Sequence, residues 1–195
     1  NIDRLGLDQL NSTFKDIKNL PIDKETKQLA NLPIFIVGDA APDAPIQHEA
    51  AHAGKQAVYN CLNYPDVKPI PALIPLAIVF CHPEMAIVGK SFKQLEDQHI
   101  EFIRGFVSYE NQGRALVLAE NSGGIEVYIA KKSGKLLGAE LFCSQAEHLA
   151  HSLAWMIDAD QDIYQILKKP FYHPTLEEGL RTAFKHARRQ LDALL

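Results

Sequence analysis

At 195 residues, with 47% hydrophobic and 23% charged residues, the chain can bury a real core but is too short for a large multidomain enzyme. Twenty Lys and Arg against 24 Asp and Glu leave a formal charge of -4, so no overall positive field draws in DNA or RNA. The longest apolar stretch, Leu73 to Cys81, is broken by Pro75 and is too short to span a bilayer, and the three scattered cysteines, Cys61, Cys81 and Cys143, exclude a disulfide framework. We therefore expect a soluble cytoplasmic protein with neither nucleic-acid nor membrane partners. The first residue is Asn rather than Met, and we read the chain as a fragment or a processed piece.

Residues 1–33 are mixed and polar, and Asn11 to Lys27 carries no apolar stripe of either period, which predicts loop with short ordered pieces. Ile34-Phe35-Ile36-Val37, β-branched and ended by Gly38-Asp39, predicts a short buried strand, followed by a loop holding Pro42 and Pro45. Gln47 to Leu62 is alanine-rich and free of proline, which predicts a helix. Pro65, Pro69, Pro71 and Pro75 then remove backbone donors repeatedly, predicting an extended connector and a domain boundary near residue 70.

Beyond the boundary the periodicity changes. Leu76 to Phe80 predicts a strand, and Ser91 with Gln94 predicts a short helix opened by a capping box. Ala115 to Ala119, Ile125 to Ala130 and Leu136 to Phe142 are separated by turn residues at hairpin spacing, which predicts an antiparallel meander entered by Glu101 to Tyr109. Ser144 and Glu147 predict a second capping box, before Ala146, Leu149, Ala150, Leu153, Ala154 and Ile157 recur at helical spacing. Thr175 and Glu178 signal a last helix, striped by Leu176, Leu180, Ala183, Phe184, Ala187, Leu191 and Leu194. Strands followed by packed helices without strict alternation predict an α+β domain over residues 71–195, an antiparallel sheet with flanking helices.

Two patterns could carry chemistry. His48-Glu49-Ala50-Ala51-His52 places two imidazoles on one helix face, as in zinc proteases, but the continuation Ala53-Gly54-Lys55 supplies no third ligand, so we assign no metal. In His173-Pro174-Thr175-Leu176-Glu177-Glu178, a glutamate in the first turn of the last helix can face back toward the imidazole. A carboxylate there would orient the ring and favour its protonated form, as a general acid or base at neutral pH requires. The same residues also read as an ordinary capping box beside a surface histidine. No Gly-x-Gly-x-x-Gly occurs, so the chain carries no complete dinucleotide site.

Three segments, in order, carry a resemblance: Ile34 to Ala40, then Val79-Phe80-Cys81-His82-Pro83-Glu84-Met85-Ala86-Ile87-Val88-Gly89, then His173 to Glu178. Between the last two, Gly134 to Ala139 and Ala146 to His151 fit an interface hairpin and helix. The chain resembles the carboxy-terminal part of the flavin-dependent pyridine nucleotide disulfide oxidoreductases, most of all the dihydrolipoyl dehydrogenases. The resemblance implies that residues 1–70 end an α/β FAD- and NAD-binding region and that residues 71–195 form a dimerisation domain. It implies a homodimer, FAD and NAD as cofactors of the parent protein, and dihydrolipoamide or another dithiol or disulfide as substrate. Asp39, between Gly38 and Ala40, matches the aspartate that holds the ribityl chain of FAD, and Ile46-Gln47-His48 match the start of the helix near the flavin. His173 matches the acid/base histidine and Glu178 its carboxylate partner, acting on the flavin and cysteine pair of the other subunit.

The chain departs from the family in lacking the dinucleotide fingerprints and the redox cysteine pair, and we expect it alone to be inactive and to bind no FAD tightly. Pro170-Phe171-Tyr172 precede His173 where small polar residues are frequent, and Glu126 stands where a basic residue is usual. A glutathione reductase-like parent is a second reading. A third is a stand-alone dimerisation module whose apolar helices, 145–157 and 176–194, bury a two-fold interface.

Overall fold

The computed structural model describes residues 4–41 and 45–194. The loop expected around Pro42 lies largely outside them. The chain divides into two compact units, Asn1–Leu73 and Ile74–Leu195.

The first unit contains a one-turn helix α1 (Leu7–Leu10), 3-10 turns at Ser12–Lys15, Ile17–Asn19 and Gly38–Ala40, and the helix α2 (Gln47–Leu62). Its small core gathers Leu7, Phe14, Leu29, Ile36 and Ala41. The strand expected at Ile34 to Val37 does not form. A strand needs a ladder, and this segment has only the single bridge between Phe35 and Gln28. The two bonds of that bridge, Leu29 N to Ile34 O at 2.8 Å and Ile36 N to Lys27 O at 2.9 Å, close a tight loop and are not continued into a ladder. Helix α2 has the expected limits, and Ala53, Ala57 and Asn60 are its buried positions. The proline-rich connector is tied back to it. Asn60 Nδ2 donates to Lys68 O (2.9 Å) and Asn60 Oδ1 accepts from Lys68 N (3.1 Å), while His52 Nε2 lies 2.9 Å from Pro71 O.

The second unit is a five-stranded sheet of β1 (Leu76–Val79), β2 (Glu84–Gly89), β3 (Phe102–Ser108), β4 (Gly124–Ala130) and β5 (Leu136–Cys143). The spatial order is β1-β2-β5-β4-β3, and every neighbouring pair is antiparallel. Period-two alternation assigns the faces. Ala86, Val88, Ile103, Ile125, Val127, Ala139 and Leu141 point into the core, whereas Met85, Ile87, Phe106 and Phe142 remain 44–48% exposed on the other face. Helix α5 (Ala146–Asp158) packs on β2 and β5, and α7 (Glu177–Asp192) packs on β3 and β4. The expected α+β architecture is the one found.

Four local expectations change. Strand β2 forms directly after Pro83, over a segment whose sequence carries no period-two alternation to mark it. The apolar run Ala115 to Ala119 is helical, in α4 (Gly113–Leu118), because the Gln112 side chain accepts from Ala115 N and Ala119 ends the helix at a left-handed φ of 56°. Ser144 and Glu147 make no capping box: Ser144 Oγ bonds the Glu120 carboxylate, Glu147 N donates to Glu84 Oε2 at 3.0 Å, and Gln145 stands at the N-cap. The apolar stripes of α5 and α7, which only the stand-alone-module reading assigns to a two-fold interface, are used inside the unit, where Leu149, Leu153, Leu180, Ala183, Phe184 and Ala187 are all nearly inaccessible. The capping box of α3 (Phe92–Asp97) forms as expected from Ser91 and Gln94, and an unanticipated one at Asp162 and Gln165 opens α6 (Ile163–Leu167).

Helix α7 does more than cover the sheet. His186 Nδ1 accepts from Phe106 N (3.1 Å) and Gln190 Nε2 donates to Arg104 O (2.8 Å), so two side chains satisfy backbone groups of the edge strand β3.

Candidate functional site

His173 and Glu178 meet at the entry to α7. The imidazole Nδ1 lies 2.9 Å from Glu178 Oε2 and 3.1 Å from Oε1. The His173 side chain is 80% exposed and that of Glu178 27%, so the ring is held by the turn beneath it and not by surrounding walls. Thr175 N donates to the same Glu178 Oε2 at 3.2 Å, and Thr175 Oγ1 donates to Tyr172 O at 2.8 Å. Only half of a capping box is therefore present: the glutamate reaches back, but the threonine hydroxyl turns to the preceding carbonyl. The Thr175 amide, followed by the imidazole, holds the Glu178 carboxyl below its usual range. Glu177 and Glu178 both stand in the first turn, where the helix dipole favours negative charge.

Two residues that sequence reasoning missed grip this turn from below. Tyr109 follows β3, is fully buried, and donates its hydroxyl to Leu176 O at 2.8 Å. Gln112, at the N-cap of α4, donates Nε2 to Thr175 O at 2.7 Å. Burial pushes the Tyr109 phenol far above its ordinary value, so it stays a neutral donor. No local motif links residues 109–112 to 175–176; only the fold joins them.

The other candidates lie in the first unit. Gly38, Asp39 and Ala40 form a 3-10 turn, Asp39 and Ala40 are exposed, and a side chain at Gly38 would stand 3.4 Å from the Ala50 Cβ of α2. Ile46 is the N-cap of α2, and Gln47 and His48 are exposed on its first turn. These six positions are thus neighbours around one helix start. Asp39 offers exposed carboxylate oxygens suited to accepting hydrogen bonds from hydroxyls, which fits the ribityl chain the resemblance implies. Among the described residues no group of three or more His, Cys, Asp or Glu is placed to hold a metal ion. Also among them, no helix is long and apolar enough to cross a membrane.

The outer face of the sheet bears an open concavity of about 370 Å³, walled by Met85, Phe106 and Phe142 among others, with Glu126 and Glu140 in its lining. These two glutamates stand directly opposite on β4 and β5. Each has a partner: Arg104 Nη1 lies 3.6 Å from Glu126 Oε1, and Phe92 N donates to Glu140 Oε1 at 2.9 Å.

Residues 75–184 match the family model described as pyridine nucleotide-disulphide oxidoreductase, dimerisation domain. The chain belongs to this family. It is 30% identical over 179 residues to a dihydrolipoyl dehydrogenase of Geobacillus stearothermophilus, covering 91% of this chain and 37% of that protein. It is 29% identical over 191 residues to a dihydrolipoyl dehydrogenase of Staphylococcus aureus, covering 96% and 39% respectively. The chain thus spans under two fifths of the length of these curated relatives. Among solved structures, LpdA from Mycobacterium tuberculosis superposes with a TM-score of 0.80 at 21% identity, over 97% of this chain and 40% of that one. An NAD-dependent persulfide reductase from A. fulgidus gives 0.71 at 16% identity, over 95% and 38%. Those two likenesses speak for the fold. The five-stranded sheet with α5 and α7 is the dimerisation domain of a family of FAD- and NAD-dependent oxidoreductases. His173, Glu178, Tyr109 and Gln112 all belong to it.

Proposed function

We propose that the chain supplies the dimer interface and the acid/base pair of a dihydrolipoyl dehydrogenase-like flavoprotein disulfide reductase. The observation that carries this reading is the 2.9 Å contact between His173 Nδ1 and Glu178 Oε2 on an otherwise open surface. A carboxylate at Nδ1 favours the tautomer with its proton there, which leaves the Nε2 lone pair facing outward to take a proton from a thiol. Carboxylate support also stabilises the imidazolium that results, and the return of that proton completes the cycle. The thiol belongs to dihydrolipoamide or a related dithiol, with a glutathione reductase-like disulfide substrate as the alternative.

In this reading residues 1–70 are the end of the FAD- and NAD-binding region and residues 71–195 the interface domain of a homodimer. Asp39 would accept hydrogen bonds from the ribityl hydroxyls of FAD, with Gly38, Ala40 and Ile46 to His48 forming the adjoining wall. FAD, when bound, supplies the relay of an electron pair from dithiol to NAD. The 195 residues alone hold neither a paired redox cysteine nor a dinucleotide fingerprint, so we assign them no turnover and no tight flavin binding of their own. Three free cysteines suit a cytoplasmic location for the parent.

The test is His173→Gln in the parent enzyme. Dithiol turnover falls by roughly 100-fold or more, the range of general acid/base catalysis, while the bound-flavin spectrum is unchanged. Unaltered turnover overturns the assigned role. A second reading, a dimerising module without catalysis, draws on the exposed Met85, Ile87, Phe106 and Phe142 of the outer sheet face. A strictly monomeric chain in sedimentation at micromolar concentration excludes it.

A further inference from the structure

We infer that Tyr109 and Gln112 are positioning residues for the His173–Glu178 pair, gripping the backbone turn that sets its geometry. The inference rests on the acid/base reading of that pair and adds to it the part of the fold that holds the pair in place.

An exposed imidazole keeps no fixed place through packing, and His173 has little. Its position follows from the chain path between Tyr172 and Glu178. That path has one internal tie, Thr175 Oγ1 to Tyr172 O, and one tie to the carboxylate, Thr175 N to Glu178 Oε2. Both are made by Thr175, so the orientation of the Thr175 and Leu176 peptides decides where Oε2 stands relative to Nδ1.

Those peptides are fixed from the opposite side. Gln112 Nε2 holds Thr175 O at 2.7 Å and Tyr109 Oη holds Leu176 O at 2.8 Å. The two donors sit on the short turn between β3 and α4 and are themselves anchored. Tyr109 is fully buried, and Gln112 Oε1 is engaged by Ala115 N at 2.7 Å. Thr175 O precedes the helix, and Leu176 O, at its N-cap, also accepts from Gly179 N at 2.9 Å, so the phenol adds a second bond to a carbonyl that the first turn already engages. The approach is close because Gly179 has no side chain: a Cβ there would lie 2.5 Å from Tyr109 Oη. The acid/base geometry is thus built on a buried phenol and amide contributed from more than 60 residues earlier in the chain.

The experiment reads the imidazole itself. Long-range nitrogen-proton spectra of the full chain report which ring nitrogen of neutral His173 carries the proton. In the wild type the Nδ1–H form dominates. Tyr109→Phe keeps the ring in the core and removes only the hydroxyl; we expect the Nε2–H population to rise roughly fivefold, the scale of one lost hydrogen bond, with circular dichroism unchanged. Gln112→Met removes the second grip and acts in the same direction, and it keeps the test decisive if Tyr109→Phe does not fold. Glu178→Gln is the reference. If it changes the tautomer balance and neither Tyr109→Phe nor Gln112→Met does, the positioning role is overturned and the pair stands. If Glu178→Gln leaves the balance unchanged as well, the pairing itself is overturned along with the positioning role.

Discussion

Gly179→Ala tests the packing under the site with a single methyl group. Gly179 lies in the first turn of α7, where alanine is intrinsically better than glycine by up to about 1 kcal/mol. An open site would therefore be stabilised. Here the added Cβ would meet Tyr109 Oη at 2.5 Å, Cε2 at 2.7 Å and Cζ at 2.8 Å, and the tyrosine is fully buried. Overpacking of this kind costs about 1–3 kcal/mol, and displacing the phenol from Leu176 O leaves a buried polar group unpaired at about 1–3 kcal/mol more. Set against the helical gain, the net expectation is a loss of about 3 kcal/mol. For a unit of this size that corresponds to a thermal midpoint lower by roughly 12 °C. Near-ultraviolet circular dichroism on heating measures it and reports on tyrosine packing at the same time. Gly113→Ala is the control. It also lies in the first turn of a helix, α4, but nothing stands within 4 Å of its Cβ, so it should be neutral or slightly stabilising. A raised midpoint in Gly179→Ala would refute the reasoning, because Tyr109 would then be free to yield.

Two further outcomes follow from the charges and thiols. The Glu178 carboxyl titrates below its ordinary range, chiefly because the Thr175 amide donates to its charged form, so its contribution to stability is complete above the unfolded-state pKa and is lost as pH falls through the lower folded value. Wild type and Glu178→Gln should thus differ in thermal midpoint at neutral pH and converge in acid; a constant difference across that range would contradict the assignment. Burial raises the Cys143 thiol to about 12, whereas Cys61 and Cys81 are exposed. A thiol reagent at pH 8 should label Cys61 and Cys81 in the folded chain and reach Cys143 only after denaturation, and rapid native labelling of Cys143 would show that its enclosure is incomplete.

What the sequence made legible was governed by local interactions. Alanine content and the absence of proline marked α2, and the reciprocal bonds of Ser91 and Gln94 marked α3. The two hairpin strands β4 and β5 were legible because turn residues flank runs that alternate in burial. Failures arose where a distant partner decided the matter. Ser144 and Glu147 have the spacing of a cap, yet Glu120 and Glu84 claim them instead. Ile34 to Val37 has the composition of a strand but no neighbour with which to build a ladder. The run Ala115 to Ala119 has the apolar content of a strand, while its cap, Gln112, was not recognised. At the site, the five-residue spacing of His173 and Glu178 made their contact readable. The contribution of Tyr109 and Gln112 was not readable, because it depends on the β3 to α4 turn arriving beneath α7.

The side chains of α7 laid along β3 bear on how copies of this module can associate. An edge strand invites another chain to extend the sheet, and each such addition exposes a fresh edge. At β3 the Phe106 amide and Arg104 carbonyl are already occupied by His186 and Gln190. At the opposite margin, β1 is only four residues long and offers little to pair with. Growth by strand addition is thereby discouraged in both directions, and contact between copies is left to the faces of the molecule. A self-complementary contact between two such faces closes on itself and stops, so an assembly of that kind is countable and not open-ended.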